Sequence, residues 1–286
     1  MRVRRRLFTG FLLAVAGLAP ASAKADPTPA WAIQSIAAPT NFAPGDESGS
    51  DRYFAFITNS GGKATDRSPI TITDTLPPGV KVKRIILKSP RGETEIGNAP
   101  VCEAEESGGV ATASCEVTEA VDPPREPALL YPGNQLLFEI RVKTPASASG
   151  TLVNRVEVAG GGAEPVSREI ENPASEEEAH IGFEEFHAGL VGADGKPARG
   201  AASHPYQYVT SFAVNTVPSV KEGDNFIPAE GDLKDVEVAL PAGLAGNPTA
   251  IGECTPEKFT NVHTGHTKLG QSPIGVNECP VDTAVG

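Results

Sequence analysis

The sequence predicts an all-β protein of two sandwich domains in tandem, the second incomplete at its C-terminal end. Three observations support this prediction. Short runs of alternating apolar and polar residues recur along the chain, as expected for strands with one buried face. The segments between them contain many of the 30 glycines and 26 prolines among the 286 residues. The sequence has no long stretch of apolar residues with helical spacing.

The first residues have the features of a secretory signal peptide. Four arginines between residues 2 and 6 precede a largely apolar stretch over residues 7–18, and Ala21-Ser22-Ala23 fits a small-residue cleavage site. The apolar stretch is short for a membrane span, and no later one reaches that length. We therefore expect residues 1–23 to be removed, leaving a secreted mature chain without a transmembrane segment.

The charge of the mature chain argues against a nucleic-acid partner. Cleavage after Ala23 removes four arginines and no acidic residue, which leaves 20 basic and 36 acidic residues and a net charge of −16. Nucleic-acid binding depends on clustered Lys and Arg side chains, so this balance excludes that class. No acidic loop with the spacing of a calcium site is present, and we predict no cofactor and no metal.

Two strands around a glycine-containing loop organise the first half of the chain. In the run Tyr53–Asn59, side chains of Tyr53, Ala55 and Ile57 share one face. The run Ile70–Asp74 alternates isoleucine with threonine, and Leu76-Pro-Pro-Gly79 then ends it, because proline cannot continue a strand ladder.

Two later runs alternate as clearly. In Gln135–Lys143 the apolar side chains at 136, 138, 140 and 142 point one way and the charged ones at 139, 141 and 143 the other. In Thr151–Ala159 the inward positions include Asn154, which we expect to be buried and to bond loop backbone. About eight such strands at short intervals predict two packed sheets.

These residues also carry a family resemblance. The aromatic strand, the loop Thr58-Asn-Ser-Gly61 and the motif Thr73-Asp-Thr-Leu-Pro-Pro-Gly79 resemble the conserved repeat domain of bacterial surface proteins, the domain of unknown function family numbered eleven. The resemblance extends from about Trp31 to Gly162. It implies an immunoglobulin-like β-sandwich outside the cell, and it implies no reaction.

Composition gives the domain boundaries. We assign residues 24–163 to the first sandwich, which closes at Gly160-Gly-Gly162. Residues 164–180 contain two prolines and the run Glu176-Glu-Glu178, and we predict an acidic linker with little tertiary contact across it. Residues 181–286 form a second β-rich domain, which we expect to be truncated because the chain stops soon after Cys279.

The second half repeats features of the first. We predict a strand containing Phe183 and Phe186, a hairpin turn at Ala193-Asp-Gly195, and strands over Pro205–Asn215 and Leu233–Leu240. The motif Leu240-Pro-Ala-Gly-Leu244 echoes the Leu-Pro-Pro-Gly turn, and a cysteine pair follows each. From Phe183 onward the chain resembles a module of large secreted actinobacterial proteins of unknown role, through Ala202-Ser-His-Pro-Tyr206 and residues 235–248.

The residues that could carry catalysis have simpler structural interpretations. Ser203 and His204 are adjacent, so their side chains would point to opposite faces of a strand. His263 and His266 could present two imidazoles to zinc, but no acidic ligand stands at close spacing. The acidic pairs Glu184-Glu185 and Glu103 with Glu105 would need a shared cleft to act as a glycosidase. We predict no enzyme activity.

The predicted role is a non-catalytic structural or adhesion module of a bacterial surface protein, secreted or wall-associated, which contacts an unknown protein or glycan partner. The alternative is a carbohydrate-binding or ancillary module of a secreted hydrolase. Exposure of a coplanar aromatic set would favour that alternative, and its burial would favour the structural role. The candidate rings are Trp31, Tyr53, Tyr131, Tyr206 and Tyr208. An enzyme would need a pocket where His204 or His263 meets a carboxylate.

The four cysteines should form one disulfide in each half, Cys102 with Cys115 and Cys254 with Cys279, because an exported chain meets oxidising conditions. The first bridge closes a loop of 12 intervening residues, which the loop-entropy model values at about 3 kcal/mol. Peptide mapping without reduction, after alkylation of free thiols, should recover both pairs. Free thiols at Cys254 and Cys279 together with stoichiometric zinc would contradict this pairing and indicate a zinc site with His263 and His266.

Overall fold

The computed structural model describes residues 26–88, 101–118, 129–200, 204–219, 226–240, 242–247, 253–260, 262–264, 275–277 and 279. The predicted signal peptide and the last seven residues lie outside these ranges. The described structure is all-β, with a single short helix, α1 (Pro256–Thr260). That helix is too short to cross a membrane, so none of the described helical structure could do so.

Nine antiparallel strands form two sheets packed face to face. The strands are β1 (Trp31–Ala38), β2 (Arg52–Asn59), β3 (Ile70–Thr75), β4 (Lys81–Lys88), β5 (Val101–Ser107), β6 (Val110–Val117), β7 (Gln135–Lys143), β8 (Gly150–Gly160) and β9 (Ala163–Ala174). The four-stranded sheet has the order β1-β2-β7-β4, and the five-stranded sheet has the order β5-β6-β3-β8-β9. The predicted immunoglobulin-like β-sandwich is confirmed for this part of the chain.

The core lies between the sheets and is filled by the residues that the alternation placed inward. Tyr53, Ala55 and Ile57 of β2 are buried, whereas Phe54 and Phe56 lie on the outer face and are only half-buried. The predicted inner faces of β7 and β8 are confirmed in the same way, with Phe138 and Val156 fully buried. Period-two burial across both sheets is what holds the sandwich in register.

The Leu-Pro-Pro-Gly motif forms a tight turn after β3. The N–H of Val80 donates to the Pro77 carbonyl at 3.1 Å, and Gly79 has a φ of 83°. This arrangement is a type II turn, which needs a residue with positive φ at its third position. Gly243 in the echoed motif also has a positive φ, 88°. The two motifs therefore share this backbone feature as well as their sequence.

The predicted linker over residues 164–180 is wrong in its first part. β9 runs to Ala174 and pairs with β8 along its length as the edge of the five-stranded sheet, so the first sandwich extends beyond residue 163. Pro165 and Pro173 give β9 the composition of a linker, but prolines are tolerated on edge strands. The chain between β9 and the next strand is only residues 175–182.

The described part of the second half is β-rich but more open. It contains the pairs β10 (Phe183–Val191) with β11 (Gln207–Val214), β12 (Thr216–Pro218) with β13 (Phe226–Pro228), and β14 (Val262–Thr264) with β15 (Gly275–Asn277). The predicted strand over Leu233–Leu240 is wrong, because these residues belong to no sheet among the described strands. Alternation alone does not make a strand, because a strand also needs a paired neighbour.

The hairpin of β10 and β11 is docked on the first sandwich, contrary to the prediction of little contact. The carbonyl of Ala193, in the turn after β10, accepts the N–H groups of Gly62 at 2.8 Å and Thr28 at 3.2 Å. The Gln207 side-chain amide donates to the Ser60 carbonyl at 2.8 Å. Gly62 belongs to the glycine-containing loop between β2 and β3, so this loop receives the tip of the hairpin.

We expect A193E to loosen the hairpin, because it places a charge where only 5 % of the alanine is exposed. Burying a charge without a partner should destabilise the docked hairpin by on the order of 1–3 kcal/mol. The penalty stays in this range because the hairpin tip can shift and expose the charge to water. Hydrogen exchange should speed up along β10 and β11, and proteolysis at residues 175–182 should accelerate.

The control is A188E, at an exposed alanine of the same hairpin. Equal protection of the hairpin in A193E and A188E would show that the tip contact does not hold the two parts together.

Candidate functional site

The cysteines are bonded within each half. Cys102 and Cys115 lie directly opposite each other on β5 and β6 and form a disulfide. Cys254 and Cys279 form a second disulfide, and the described residues include no free cysteine. The first bond ties the outermost strand of the five-stranded sheet to its neighbour, so it staples an edge rather than a binding cleft.

The acidic pair Glu184-Glu185 is structural. Glu184 accepts the backbone N–H of Ala37, on the outer edge of β1, and the Thr40 hydroxyl at 3.3 Å. Glu185 accepts an N–H of Arg168, on β9, at 2.9 Å. The two carboxyl groups therefore bind β10 to both sheets of the sandwich at the side where β1 and β9 lie. Glu103 and Glu105 are exposed on β5 and form no cleft with this pair.

The histidine candidates are not brought together in the described structure. His204 is exposed, Ser203 and His266 lie outside the described ranges, and for His263 only the backbone is described. Within the described part of the chain, no group of three His, Cys, Asp or Glu side chains could hold a metal ion. His180 forms the one described histidine ion pair, with Glu230 at 2.8 Å.

The aromatic candidates divide between core and surface. Trp31 and Tyr53 are buried in the sandwich, and the Trp31 ring N–H donates to the Gly160 carbonyl at 3.0 Å. Tyr131, Tyr206 and Tyr208 are exposed, and of these only Tyr208 lies in a strand, β11, which Tyr206 directly precedes. The five candidate rings therefore do not form a single exposed set.

A different set of rings forms an exposed apolar groove on the second half. Phe183, Phe186, Tyr208 and Phe212 lie on the face of the β10–β11 hairpin that carries neither Glu185 nor its contacts. Residues 233 and 235–239 run along the other side and leave a groove of about 420 Å³ between the two walls. Phe183 and Phe186 are more than 60 % exposed, which is unusual for adjacent large apolar side chains.

The rings of this aromatic groove pack as core rings do. The ring centroids of Phe183 and Phe186 are 6.1 Å apart and their planes cross at 64°. Those of Phe183 and Phe212 are 5.8 Å apart, with an angle of 89° between the planes. Edge-to-face contacts of this kind are the preferred geometry of aromatic clusters. A flat stacking platform for sugar rings would require coplanar faces, which these three rings do not offer.

A second polar cluster lies inside the sandwich, between its sheets. Asp74 of β3 accepts an N–H of the Asn154 amide at 3.2 Å, and the Tyr53 hydroxyl donates to Asn172 at 2.8 Å. All four side chains are at most 1 % exposed. The prediction that Asn154 is buried is confirmed, but its described amide bond is to a carboxyl group and not to loop backbone. Asn59 has that role, since its amide donates to the carbonyls of Lys63 and Leu130.

Three buried carboxyl groups have strongly raised pKa values. Burial raises the pKa of Asp74 to about 7, with the Asn154 hydrogen bond opposing the change. Burial likewise raises the pKa of Asp51 and of Glu184 to about 7. Perturbed carboxyls often mark active sites, but each of these three accepts a hydrogen bond that joins separate elements of the fold. The raised pKa values predict a stability that depends on pH.

Neither a protein-family model nor a curated protein matches the chain. Similar solved structures include the major pilin SpaA of Corynebacterium diphtheriae, at 14 % identity and a TM-score of 0.35, covering 57 % of this chain and 39 % of that one. The major pilin subunit BcpA of Bacillus cereus, in a D312A variant, is 14 % identical with a TM-score of 0.33, and the match covers 74 % of this chain and 67 % of that one.

AvmM, which catalyses macrocyclization in alchivemycin A biosynthesis, is 12 % identical with a TM-score of 0.34, and the match covers 52 % of this chain and 92 % of that one. TM-scores at this level do not distinguish between the functions of these proteins. The chain also spans well under half of SpaA.

The raised pKa values predict that stability falls as pH rises. A buried carboxyl with a folded-state pKa near 7, against an ordinary value of 3.8 for aspartate, stabilises the fold fully below about pH 4. That contribution is lost as pH rises through 7. We expect the free energy of unfolding of D74N at pH 8 to exceed that of the native chain by on the order of 1–3 kcal/mol, because the substitution removes a buried charge.

The measurement is the free energy of unfolding from denaturant titrations between about pH 4 and pH 8. D74N should show a shallower decline than the native chain, whereas D232N, at an exposed aspartate, should show the same decline. A native chain whose stability rises over this range would contradict the assignment.

Proposed function

We propose that the chain is an extracellular, non-catalytic adhesion module whose contact site is the aromatic groove of the β10–β11 hairpin. The observation that carries the proposal is the exposure of a core-like aromatic cluster on an element anchored to a rigid sandwich. Large exposed apolar patches are rare on soluble monomeric proteins, and where they occur they mark interaction sites. The anchoring by Glu184, Glu185 and Ala193 holds the groove outward, as a presenting scaffold does.

The extracellular location is part of the proposal. Support comes from the signal-peptide pattern of residues 1–23, from the two disulfides, and from the acidic composition. The lack of catalysis is supported by the roles of the acidic pair and of the buried carboxyls, which are engaged in contacts between elements. The partner is a surface or wall component, and we favour a protein over a glycan because the rings are not coplanar.

A carbohydrate-binding role is the second candidate, and one observation favours it. Tyr206 and Tyr208 are both exposed and stand two residues apart in the chain, at the start of β11. Tyrosine combines an apolar ring with a hydroxyl group, which suits contact with sugars. Binding assays against both classes of surface separate the two candidates.

We expect F186S to weaken retention of the chain on immobilised cell-surface proteins by about tenfold or more, as truncation of a central aromatic anchor does. The matched control is F259S, because Phe259 on α1 is 63 % exposed and Phe186 is 62 % exposed, while only Phe186 lines the groove.

Retention on insoluble peptidoglycan, chitin or cellulose that depends on Tyr206 and Tyr208, with none on the proteins, would replace the first candidate with the second. Equal effects of F186S and F259S would remove the groove from the site.

A further inference from the structure

Two segments of the chain each have an unpaired side among the described strands. β4 is the outer strand of the four-stranded sheet and pairs only with β7. Residues 232–240 are exposed and belong to no described strand, and no backbone hydrogen bond joins them to another described residue. The N–H and C=O groups along such edges are templates for pairing with a further strand.

The two segments differ in charge. β4 contains four basic residues and no acidic one, Lys81, Lys83, Arg84 and Lys88. Within the chain Lys81 pairs with Glu106 at 3.6 Å, Lys88 pairs with Glu139 at 3.9 Å and Lys83 donates to the Ser48 carbonyl, so the charges of β4 exceed those of its acidic partners. Residues 232–240 contain three acidic residues and one lysine, which forms an exposed pair with Asp235 at 3.8 Å. An exposed pair of this kind contributes little and yields readily to another partner. The segments are therefore electrostatically complementary, while each would repel a second copy of itself.

The segments also match face by face. On β4 the side chains of Ile85 and Leu87 pack against the sandwich core, opposite Ile140 and Phe138 of β7, and the alternate residues face outward. As a strand, residues 233–240 place Val236, Val238 and Leu240 on one face and Asp235 and Glu237 on the other. A strand added beside β4 can thus continue the apolar inner face and bring its carboxylates beside the basic outer face.

We propose that residues 233–240 of one copy of the chain pair, as an additional edge strand, with β4 of a second copy. Cross-strand contacts between apolar residues would form on the inner face, and contacts between Asp235 or Glu237 and Arg84 or Lys88 on the outer face. The basic edge of β4 disfavours pairing with another β4, so the contact is between unlike surfaces. Such a contact is heterologous and propagates from copy to copy.

This inference goes beyond the adhesion role and does not depend on it. The two proposals share residues 233 and 235–239, which form one wall of the groove, but they use different chemistry. Adhesion uses the aromatic side chains of the opposite wall, whereas the proposed pairing uses the backbone of residues 233–240 and the charges at 235 and 237. A chain that binds cell-surface proteins but stays monomeric would retain the first proposal and lose the second. The reverse result would do the opposite.

The test is sedimentation velocity of the secreted chain over a range of concentrations at low and high salt. We expect a series of oligomers that grows with concentration and shrinks at high salt, because salt screens exposed charges. D235K/E237K should weaken association by about tenfold or more. E176K/E178K, which reverses two exposed glutamates at the same spacing, should leave it unchanged apart from a small effect of net charge.

Charge reversal of the acceptor gives the sharper test. R84E/K88E alone should be weakened in the same way. An equimolar mixture of D235K/E237K with R84E/K88E should restore the growing series, because Asp235 and Glu237 of the second variant meet the basic β4 of the first, and the new lysines of the first meet the new glutamates of the second. As a backbone test independent of charge, V238P should block association, since proline removes an N–H from the donor strand.

Circular dichroism and thermal melts should show that each variant keeps the sandwich. A native chain that remains monomeric at every concentration in low salt would overturn the proposal. Association that survives D235K/E237K, or that F186S abolishes while D235K/E237K does not, would overturn it as well.

Discussion

The unpaired N–H groups of an edge strand are the constraint on which this arrangement depends. β1 forms one side of the four-stranded sheet, and its outer edge needs hydrogen-bond acceptors wherever it is covered. Glu184 accepts the N–H of Ala37, and the pKa of Glu185, which burial raises, is held down in part by Arg168 and by the Ser35 backbone. Two adjacent carboxyl groups thus accept hydrogen bonds from the outer edge of β1, which the carbonyls of a neighbouring strand would otherwise accept.

Capping by side chains has a different result from capping by a strand. A paired strand would have continued the four-stranded sheet, with the next element in the same plane. The carboxyl groups instead hold β10 against β1 and β9, while Phe186 and Phe212 lie on the hairpin face turned away from them. The exposed aromatic groove follows from the way the edge is capped.

Alternation in the sequence predicts the first sandwich well because the sheet buries one face of each strand. The inner residues of β2, β7 and β8 followed directly from it. The strand β9 was missed because its prolines and glutamates have linker composition, although an edge strand tolerates both. Leu233–Leu240 alternates as a strand should, but pairing depends on distant parts of the chain, which local pattern does not encode.

The polar sites were less predictable, for physical reasons. Asp74 stands in phase with Ile70 and Ile72, so a carboxyl at an inward position was a visible signal of the buried cluster. Its bond to Asn154 was not visible, because it requires the register of β3 against β8. The groove was equally hidden: Phe183 and Phe186 read as ordinary strand residues, and their exposure depends on how the hairpin is docked.

The junction at the end of β9 has a consequence for mechanical load. Phe42, which follows β1, forms a parallel bridge to Ala174, with its N–H donating to the Pro173 carbonyl and its carbonyl accepting the Ser175 N–H, both at 2.9 Å. Tension applied to the two ends of the sandwich pulls these parallel segments in opposite directions along their length. The two bonds are then sheared together rather than opened one after the other, so they resist separation of the segment after β1 from the end of β9.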